Sequence, residues 1–493
     1  MFRTLKSKPF FVLLLPVFFV LHGLVENYGF IGIGDIGILA VTYLVSTSAI
    51  YLLTYLFFRN HLKAALLTSA AMGFNFFFGA LFDFLKQHSP VPLFYKYSFL
   101  LTFMVFGLIL LFFILKKAKR PFYRLTFFLN LLFIIYLVID LVALMKHVAH
   151  PPVNKLAIYD FAKNNQYKIP DSCNKPDIYF IVFDEYASSR SIKQKFGIVT
   201  DIDSFLMANK FVVQQTSKSN YESTVLSIAS MLNMRYLDHT KYANGIGHHE
   251  LLDCSMMIRQ NRVISYLAMN DYDIVNLSIF DLAGSPSHFK QSFLPLKTQM
   301  ITEGTLTGRI LRDFKWWFAN HKLLKTFFWG QYENNMHLLQ EIKTASTVKQ
   351  KQPRFIYAHF FMPHSPFYVD RNGNKKSDTT IIHDESNPAA YFDYLLFVNT
   401  KIKKLIPALL HNTASNAVIM VMGDHGYRND STSSPRIFQN LNAVYFPPKY
   451  HSLLYDSITN VNQFPAIFNT LFQQNFPLQK DSSFYFFYKK GKS

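Results

Sequence analysis

Apolar residues are distributed very differently in the two parts of this chain. Up to about residue 148 they run in long, nearly unbroken blocks. Beyond residue 176 they fall into short runs separated by amphipathic stretches. Five blocks, at 9–28, 33–58, 62–85, 97–116 and 122–146, approach or exceed the roughly 20 residues that a helix needs to cross a hydrocarbon core. Four further blocks follow the first, so a cleavable leader is not expected there. Residues 1–148 therefore read as a helical transmembrane domain of about five spans, and 149–175 as a juxtamembrane connector that opens on Pro151-Pro152.

From 176 to 493 the pattern is that of one α/β domain. Short β-prone runs predict strands at 177–183, 211–215, 273–278, 354–360, 417–422 and 442–446. Helical periodicity predicts helices at 224–233, 260–269, 332–346, 388–411 and 461–474. Strands alternating with helices favour a mostly parallel sheet covered on both faces.

Charge adds an orientation. The formal net charge is +19, and much of it lies in short segments between apolar blocks. Arg3, Lys6 and Lys8 precede the first block; Arg59 and Lys63 follow the second; Lys116, Lys117, Lys119, Arg120 and Arg124 follow the fourth. The intervening loops are poorer in cations, so the positive-inside rule puts the N-terminus in the cytoplasm. Five spans then leave everything after about residue 150 outside. Basic loops facing anionic lipid explain the charge better than nucleic acid does, since the chain carries no recognition motif for nucleic acid. Two cysteines, Cys173 and Cys254, rule out a cysteine zinc cluster and allow one disulfide outside the cytoplasm.

The candidate chemistry sits where strands end. The first strand runs into Asp184-Glu185. The strand at 354–360 carries His359 and leads to His364-Ser365-Pro366. The run Ala417–Val421 leads through Met422-Gly423 to Asp424-His425-Gly426. In open α/β sheets the carboxyl edge is where ligands bind, so these residues converge on one candidate metal site. A nucleophile needs the start of a helix, where free N–H groups favour an anion. Ser223 and Thr224 open the segment ending Ser227-Ile228-Ala229-Ser230, whose small residues allow close packing on a sheet.

These segments together resemble the alkaline phosphatase superfamily, most closely its membrane-anchored phosphoethanolamine transferases and lipoteichoic acid synthases. Thr224, Ser227 and Met231-Leu232 fall in step with the family's nucleophile motif, which gives Thr224 that role. His359 to Pro366 matches its His-x-x-x-x-His-Gly-Pro element, with Ser365 for Gly. Gly423 to Tyr427 matches Ser-Asp-His-Gly-Glu, with Tyr427 for Glu, and Glu185 falls on a metal ligand. No histidine lies between His425 and His451, where the transferases carry one, and Arg428 is a candidate phosphate ligand in its place. The chain thus looks nearer to a sulfatase-like branch. Sulfatases that use formylglycine make it from Cys or Ser within Cys/Ser-x-Pro-x-Arg; Thr224 cannot serve, and no such motif surrounds it.

The resemblance implies a divalent metal held by Glu185, Thr224, Asp424 and His425, a mixed oxygen and nitrogen set that suits zinc, or manganese. His364, His359, Asp184 and Arg428 would bind substrate or a second metal. The implied reaction moves a phospho-headgroup, such as phosphoethanolamine, from a phospholipid donor to an envelope glycan or lipid through a phospho-threonine intermediate. The alternative is an extracytoplasmic phosphate or sulfate ester hydrolase. Either would lie in the cell inner (plasma) membrane, multi-pass, with its catalytic domain in the periplasm.

Overall fold

The computed structural model describes residues 2–150, 167–243, 245–287, 290–291, 294–295, 298–314, 325–428, 434–447, 450 and 453–488. The chain divides into two compact units, one comprising 1–152, 290–318 and 490–493, the other 153–289 and 319–489.

The first unit is helical: α1 (Phe2–Ser7), α2 (Phe11–Glu26), α3 (Ile33–Phe58), α4 (His61–His88), α5 (Tyr97–Lys117) and α6 (Tyr123–Ala149). Helices α3 to α6 are long and apolar enough to cross a membrane; α2, over the first expected span, is a shorter apolar helix of 16 residues. Among the described residues, four helices thus meet the length and composition of a span where five were expected. Asn130 ties α1 and α2 to α6. Its Oδ1 accepts from Phe11 N at 2.7 Å, and its amide donates to the carbonyls of Leu5 and Lys8. The unit also includes 290–318, a segment that the sequence pattern assigned to the soluble part.

The second unit is built on a six-stranded sheet: β1 (Ile178–Phe183), β2 (Phe211–Val213), β3 (Asp273–Leu277), β4 (Arg354–Phe360), β5 (Val418–Gly423) and β6 (Asn442–Tyr445), in the order β2-β6-β5-β1-β4-β3. β5, β1, β4 and β3 run parallel, and β6 is antiparallel to β5 and β2. All six expected strands are present, as are the five expected helices. Four of these matter below: α7 (Thr224–Leu232), α8 (Lys325–Thr347), α9 (Pro388–Asn412) and α10 (Gln463–Phe472). Short helices at Ser189–Phe196, Ile202–Ala208 and Asp378–His383 are additional.

Strand β1 is apolar at every position because both sheet faces are covered. Tyr179, Ile181 and Phe183 belong to one core with Ile402, Leu405 and Ile406 of α9. Ile178, Phe180 and Val182 belong to the other, with Leu226 of α7 and Phe468 of α10. The two cysteines are free thiols; Cys254 is buried beside the Tyr242 hydroxyl at 3.5 Å. Most of the expected connector, 151–166, lies outside the described residues. Its far end joins the second unit, where Ile169 N donates to Asn270 Oδ1 at 2.7 Å.

One ion pair starts the central ladder. Asp177 accepts from Arg354 N at 2.8 Å and from its guanidinium at 2.6 Å, with Arg354 almost fully buried. Replacing Asp177 by Ala leaves that guanidinium without its counter-charge. The expected loss is about 3 kcal/mol of stability, read as a lower denaturation midpoint of the purified protein.

Candidate metal and nucleophile site

At the carboxyl edge of the sheet, Asp184 N still donates to Phe360 O at 2.9 Å, which extends the β1–β4 ladder by one residue. The backbone then turns sharply. Glu185 has a φ of 60°, in the left-handed region. That conformation costs roughly 1–2 kcal/mol for a residue with a side chain. Hydrogen bonds on both sides hold it there: Glu185 N donates to Asp424 Oδ1 at 2.9 Å and Glu185 O accepts from Tyr391 OH at 2.8 Å. Because of the turn, adjacent carboxylates point to different places.

The loop after β5 is fixed as tightly. A Cβ on Gly423 would lie 2.5 Å from Tyr186 O, and one on Gly426 would lie 2.4 Å from Arg436 O. Only glycine allows these approaches, and Asp424 and His425 stand between the two. The Asp424 carbonyl accepts from Ser227 Oγ at 2.6 Å and from Asn460 Nδ2 at 3.1 Å, while Asn440 Nδ2 donates to Gly423 O. Ser227 lies one helical turn beyond Thr224, so the same bond that holds the Asp424 loop also docks α7. Thr224 is the first residue of that helix, with Ser223 extended before it.

The result is one cluster. Thr224 Oγ1 lies 3.5 Å from Asp184 Oδ1 and 3.5 Å from His425 Nε2. His425 Nε2 lies 3.8 Å from Asp184 Oδ1 and 3.5 Å from Asp424 Oδ2. His425 Nδ1 donates to Gly426 O at 2.8 Å. That bond leaves the Nε2 lone pair facing the carboxylates. Among the described residues, Asp184, Asp424 and His425 form the group of buried donors close enough to share a cation, all within 4.8 Å of one another. A tetrahedral centre with bonds of about 2.0–2.1 Å sets its ligands about 3.3–3.4 Å apart, near the spacings found here.

Electrostatics point the same way. Burial and the neighbouring Asp424 push the Asp184 carboxyl well above the usual carboxylate range. Burial acts on Asp424 too, but His425, His359 and the N–H of Glu185 outweigh it and hold Asp424 below that range. Asp424 Oδ2 and His359 Nε2 are fully buried and have no hydrogen-bond partner. Two carboxylates, an inward-facing imidazole lone pair and these unpartnered atoms fit a divalent cation. His359 stands beside the cluster, its Nε2 4.0 Å from Asp184 Oδ2 and its Nδ1 3.0 Å from Tyr357 OH. Burial pushes its pKa down to about 4, so its imidazole is neutral at neutral pH.

A second, more open layer adjoins the first. Glu185 Oε1 accepts from Arg428 N at 2.7 Å; its Oε2 lies 3.8 Å from His364 Nε2 and 3.9 Å from Arg428 Nη2. Arg428 Nη2 donates to His364 Nε2 at 2.6 Å, and His364 Nδ1 donates to Ser365 O. The sequence offered Glu185 as a metal ligand and Asp184 as a residue for substrate or a second metal; in the structure Asp184 lies in the cluster with Asp424 and His425, and the Glu185 carboxylate faces Arg428 and His364. Tyr427 is buried against the Tyr391 ring, away from the donor cluster, and Asn399 accepts from Tyr186 OH within the core. Asn440 and Asn460, which position Asp424, were not singled out in the sequence.

A family model for sulfatases matches residues 201–485, more than half of the chain and the region holding Thr224, His359, His364 and Asp424-His425. The chain belongs to the sulfatase family. It is a sulfatase-like, membrane-anchored enzyme of the alkaline phosphatase superfamily, whose members depend on metal. No curated protein sequence matches it. Similar solved structures include a provisionally assigned sulfatase from Bacteroides fragilis, 12% identical, with a TM-score of 0.39 over 64% of this chain and 78% of that one. The zinc complex of the C-terminal periplasmic domain of EptC from Escherichia coli is 8% identical, with a TM-score of 0.37 over 63% and 89%. A phosphonate monoester hydrolase of Agrobacterium radiobacter is 13% identical, with a TM-score of 0.37 over 60% and 73%.

The two carboxylates at the end of β1 are separable by experiment. Asp184→Asn is expected to abolish tight binding of a divalent metal by this sulfatase-family protein, measured by metal analysis after dialysis. Glu185→Gln is expected to retain the metal and to weaken anion binding through the displaced Arg428. The opposite pattern would return Glu185 to the ligand set.

Proposed function

We propose that this protein is a membrane-bound phospho-headgroup transferase that uses Thr224 as its nucleophile. The observation that carries this reading is the position of Thr224 Oγ1, at the start of α7 and 3.5 Å from both Asp184 Oδ1 and His425 Nε2. A hydroxyl so placed beside buried metal-type ligands is poised for activation as a nucleophile. The apolar helices on the same polypeptide favour a donor that is itself a membrane lipid, and the extracytoplasmic side follows from the basic loops.

In this reading Asp184, Asp424 and His425, with the Thr224 hydroxyl, would hold one divalent cation, for which zinc suits the donor set. Bound there, the cation supplies Lewis acidity and lowers the pKa of the coordinated hydroxyl. Thr224 Oγ1 then attacks the headgroup phosphorus. The bond from phosphorus to the diacylglycerol oxygen breaks, and that oxygen leaves with the proton that Thr224 gives up. A hydroxyl of an envelope glycan or lipid next attacks the phospho-threonine, releasing Thr224 and carrying the headgroup away. Arg428 orients the phosphoryl oxygens from the open side, with Glu185 and His364 fixing Arg428. His359, neutral and buried, offers its free Nε2 to the same centre.

Purified protein, zinc and mixed phosphatidylethanolamine and phosphatidylglycerol vesicles test the reading, with diacylglycerol followed by mass spectrometry. Diacylglycerol from one lipid is expected, falling by roughly a thousandfold or more in Thr224→Ala. A folded, zinc-loaded protein that releases none, yet cleaves a soluble phosphate or sulfate ester, would make it the hydrolase instead. Undiminished turnover in folded Thr224→Ala would remove the nucleophile assignment altogether.

A further inference from the structure

Residues 298–314 interrupt the catalytic sequence between β3 and α8, yet they pack among the membrane helices of the first unit. They form two short helices, Gln299–Thr302 and Leu306–Asp313, joined through Gly304 and Thr305. Ile301 is buried in a cluster with Val20 of α2, Leu39 and Tyr43 of α3, and Met72 and Phe76 of α4. Leu306 packs against Phe78 of α4 with Leu100 and Met104 of α5.

The depth of these contacts follows from helix geometry. Lys63 and Asp83 mark the charged ends of the apolar stretch of α4. At helical rise they stand about 30 Å apart, the thickness of a hydrocarbon core. Gly79 lies about 6 Å inside the Asp83 level and Asn75 about 12 Å inside it. Both are hydrogen-bonded to the segment: Gly79 N donates to Gly304 O at 2.8 Å, and Asn75 Oδ1 accepts from Thr307 N at 3.2 Å.

Irregular backbone survives at such depth only when protein satisfies its polar groups. That condition is met in detail. Thr305 Oγ1 donates to Thr302 O at 2.6 Å and accepts from Gly308 N at 3.0 Å, capping the second helix. Arg309, nearly fully buried, pairs with Asp83 and lies over the Phe82 ring, and Tyr97 OH bonds Asp313. The fit is close enough that a Cβ on Gly79 would lie 2.3 Å from Gly304 O.

We propose that residues 298–314 form a re-entrant element of the membrane domain and a second mooring of the catalytic chain in the bilayer. The inference rests on the helices being membrane spans, not on the reaction catalysed. The chain beyond this element leads into α8, whose Asn335 grips Phe361 through both N (2.8 Å) and O (3.1 Å), between His359 and His364. The mooring and the histidine segment are therefore served by one stretch of polypeptide.

The test uses the full chain in native membranes with Cys173→Ser and Cys254→Ala removing the native thiols. Asn75→Cys with Thr307→Cys is expected to form an intrachain disulfide on mild oxidation, so that both thiols escape a mass-tagged maleimide after denaturation. His61→Cys with Thr307→Cys is expected to stay reactive, because His61 stands about 21 Å from Asn75 along α4. Adding Gly79→Leu to the first pair is expected to abolish the cross-link. A single Thr305→Cys gives an independent readout: no labelling by a membrane-impermeant maleimide before denaturation, full labelling after. Failure of the first pair to cross-link, equal cross-linking of the control pair, or ready labelling of Thr305→Cys in intact membranes would each overturn the proposal. None of these readouts depends on activity.

Discussion

The in-register pairing of β1 between β4 and β5 is the constraint from which the site follows. Phe183 sits opposite Phe360 on one side and Gly423 on the other. The residues that come next, Asp184 and Asp424, must therefore leave the sheet side by side. A slip of one residue would put each on the wrong level and the wrong face. The Asp177–Arg354 pair at the start of the strands and the glycine approaches at their ends both enforce this alignment. Thr224 is brought to the same point by a separate device, the Ser227 hydroxyl on the Asp424 carbonyl. The catalytic geometry thus rests on backbone register and one side-chain bond, not on the ligands' attraction for one another, which as two carboxylates is repulsive.

Much of this was legible in the sequence. Strands β1, β4 and β5 are short, mostly apolar and end abruptly in ionisable residues, a pattern that gives both element and edge. Helix α9 was legible because its buried positions, from Tyr391 through Val398 to Leu409, recur with helical spacing. The short helices at Ser189–Phe196 and Ile202–Ala208 escaped because so few apolar residues, Ile192 in the first and Ile202 and Leu206 in the second, are fully buried. A single turn or two leaves periodicity too little length to register.

The direction in which the Glu185 side chain leaves the sheet was not legible, for a specific reason. Strand alternation predicts which face a side chain takes only while the strand continues, and the left-handed turn at Glu185 breaks it at that residue. Asn440 and Asn460 were invisible for a different reason: each acts on backbone carbonyls at Gly423 and Asp424, a tertiary contact with no local pattern. The segment at 298–314 combines both difficulties. Its polar helices read as an ordinary loop of a soluble domain. Its partners, Asn75, Gly79, Asp83 and Tyr97, lie far earlier in the chain, before the α/β domain begins.

The two layers of the site divide the electrostatic work. Asp184, Asp424 and Glu185 are all buried; the Arg428 guanidinium lies 3.9 Å from the Glu185 carboxylate, and His359 is neutral. Burial, and after it repulsion from Asp424, drives the Asp184 carboxyl upward, while the imidazoles and the Glu185 N–H hold Asp424 low against its own burial. The outer layer then has the opposite task. Glu185 engages the backbone N–H of Arg428 through Oε1, so the guanidinium is held in place without being neutralised by a bidentate bridge. Arg428 remains partly exposed beside His364. The carboxylate at position 185 thus anchors the Arg428 backbone one layer out from the Asp184, Asp424 and His425 cluster.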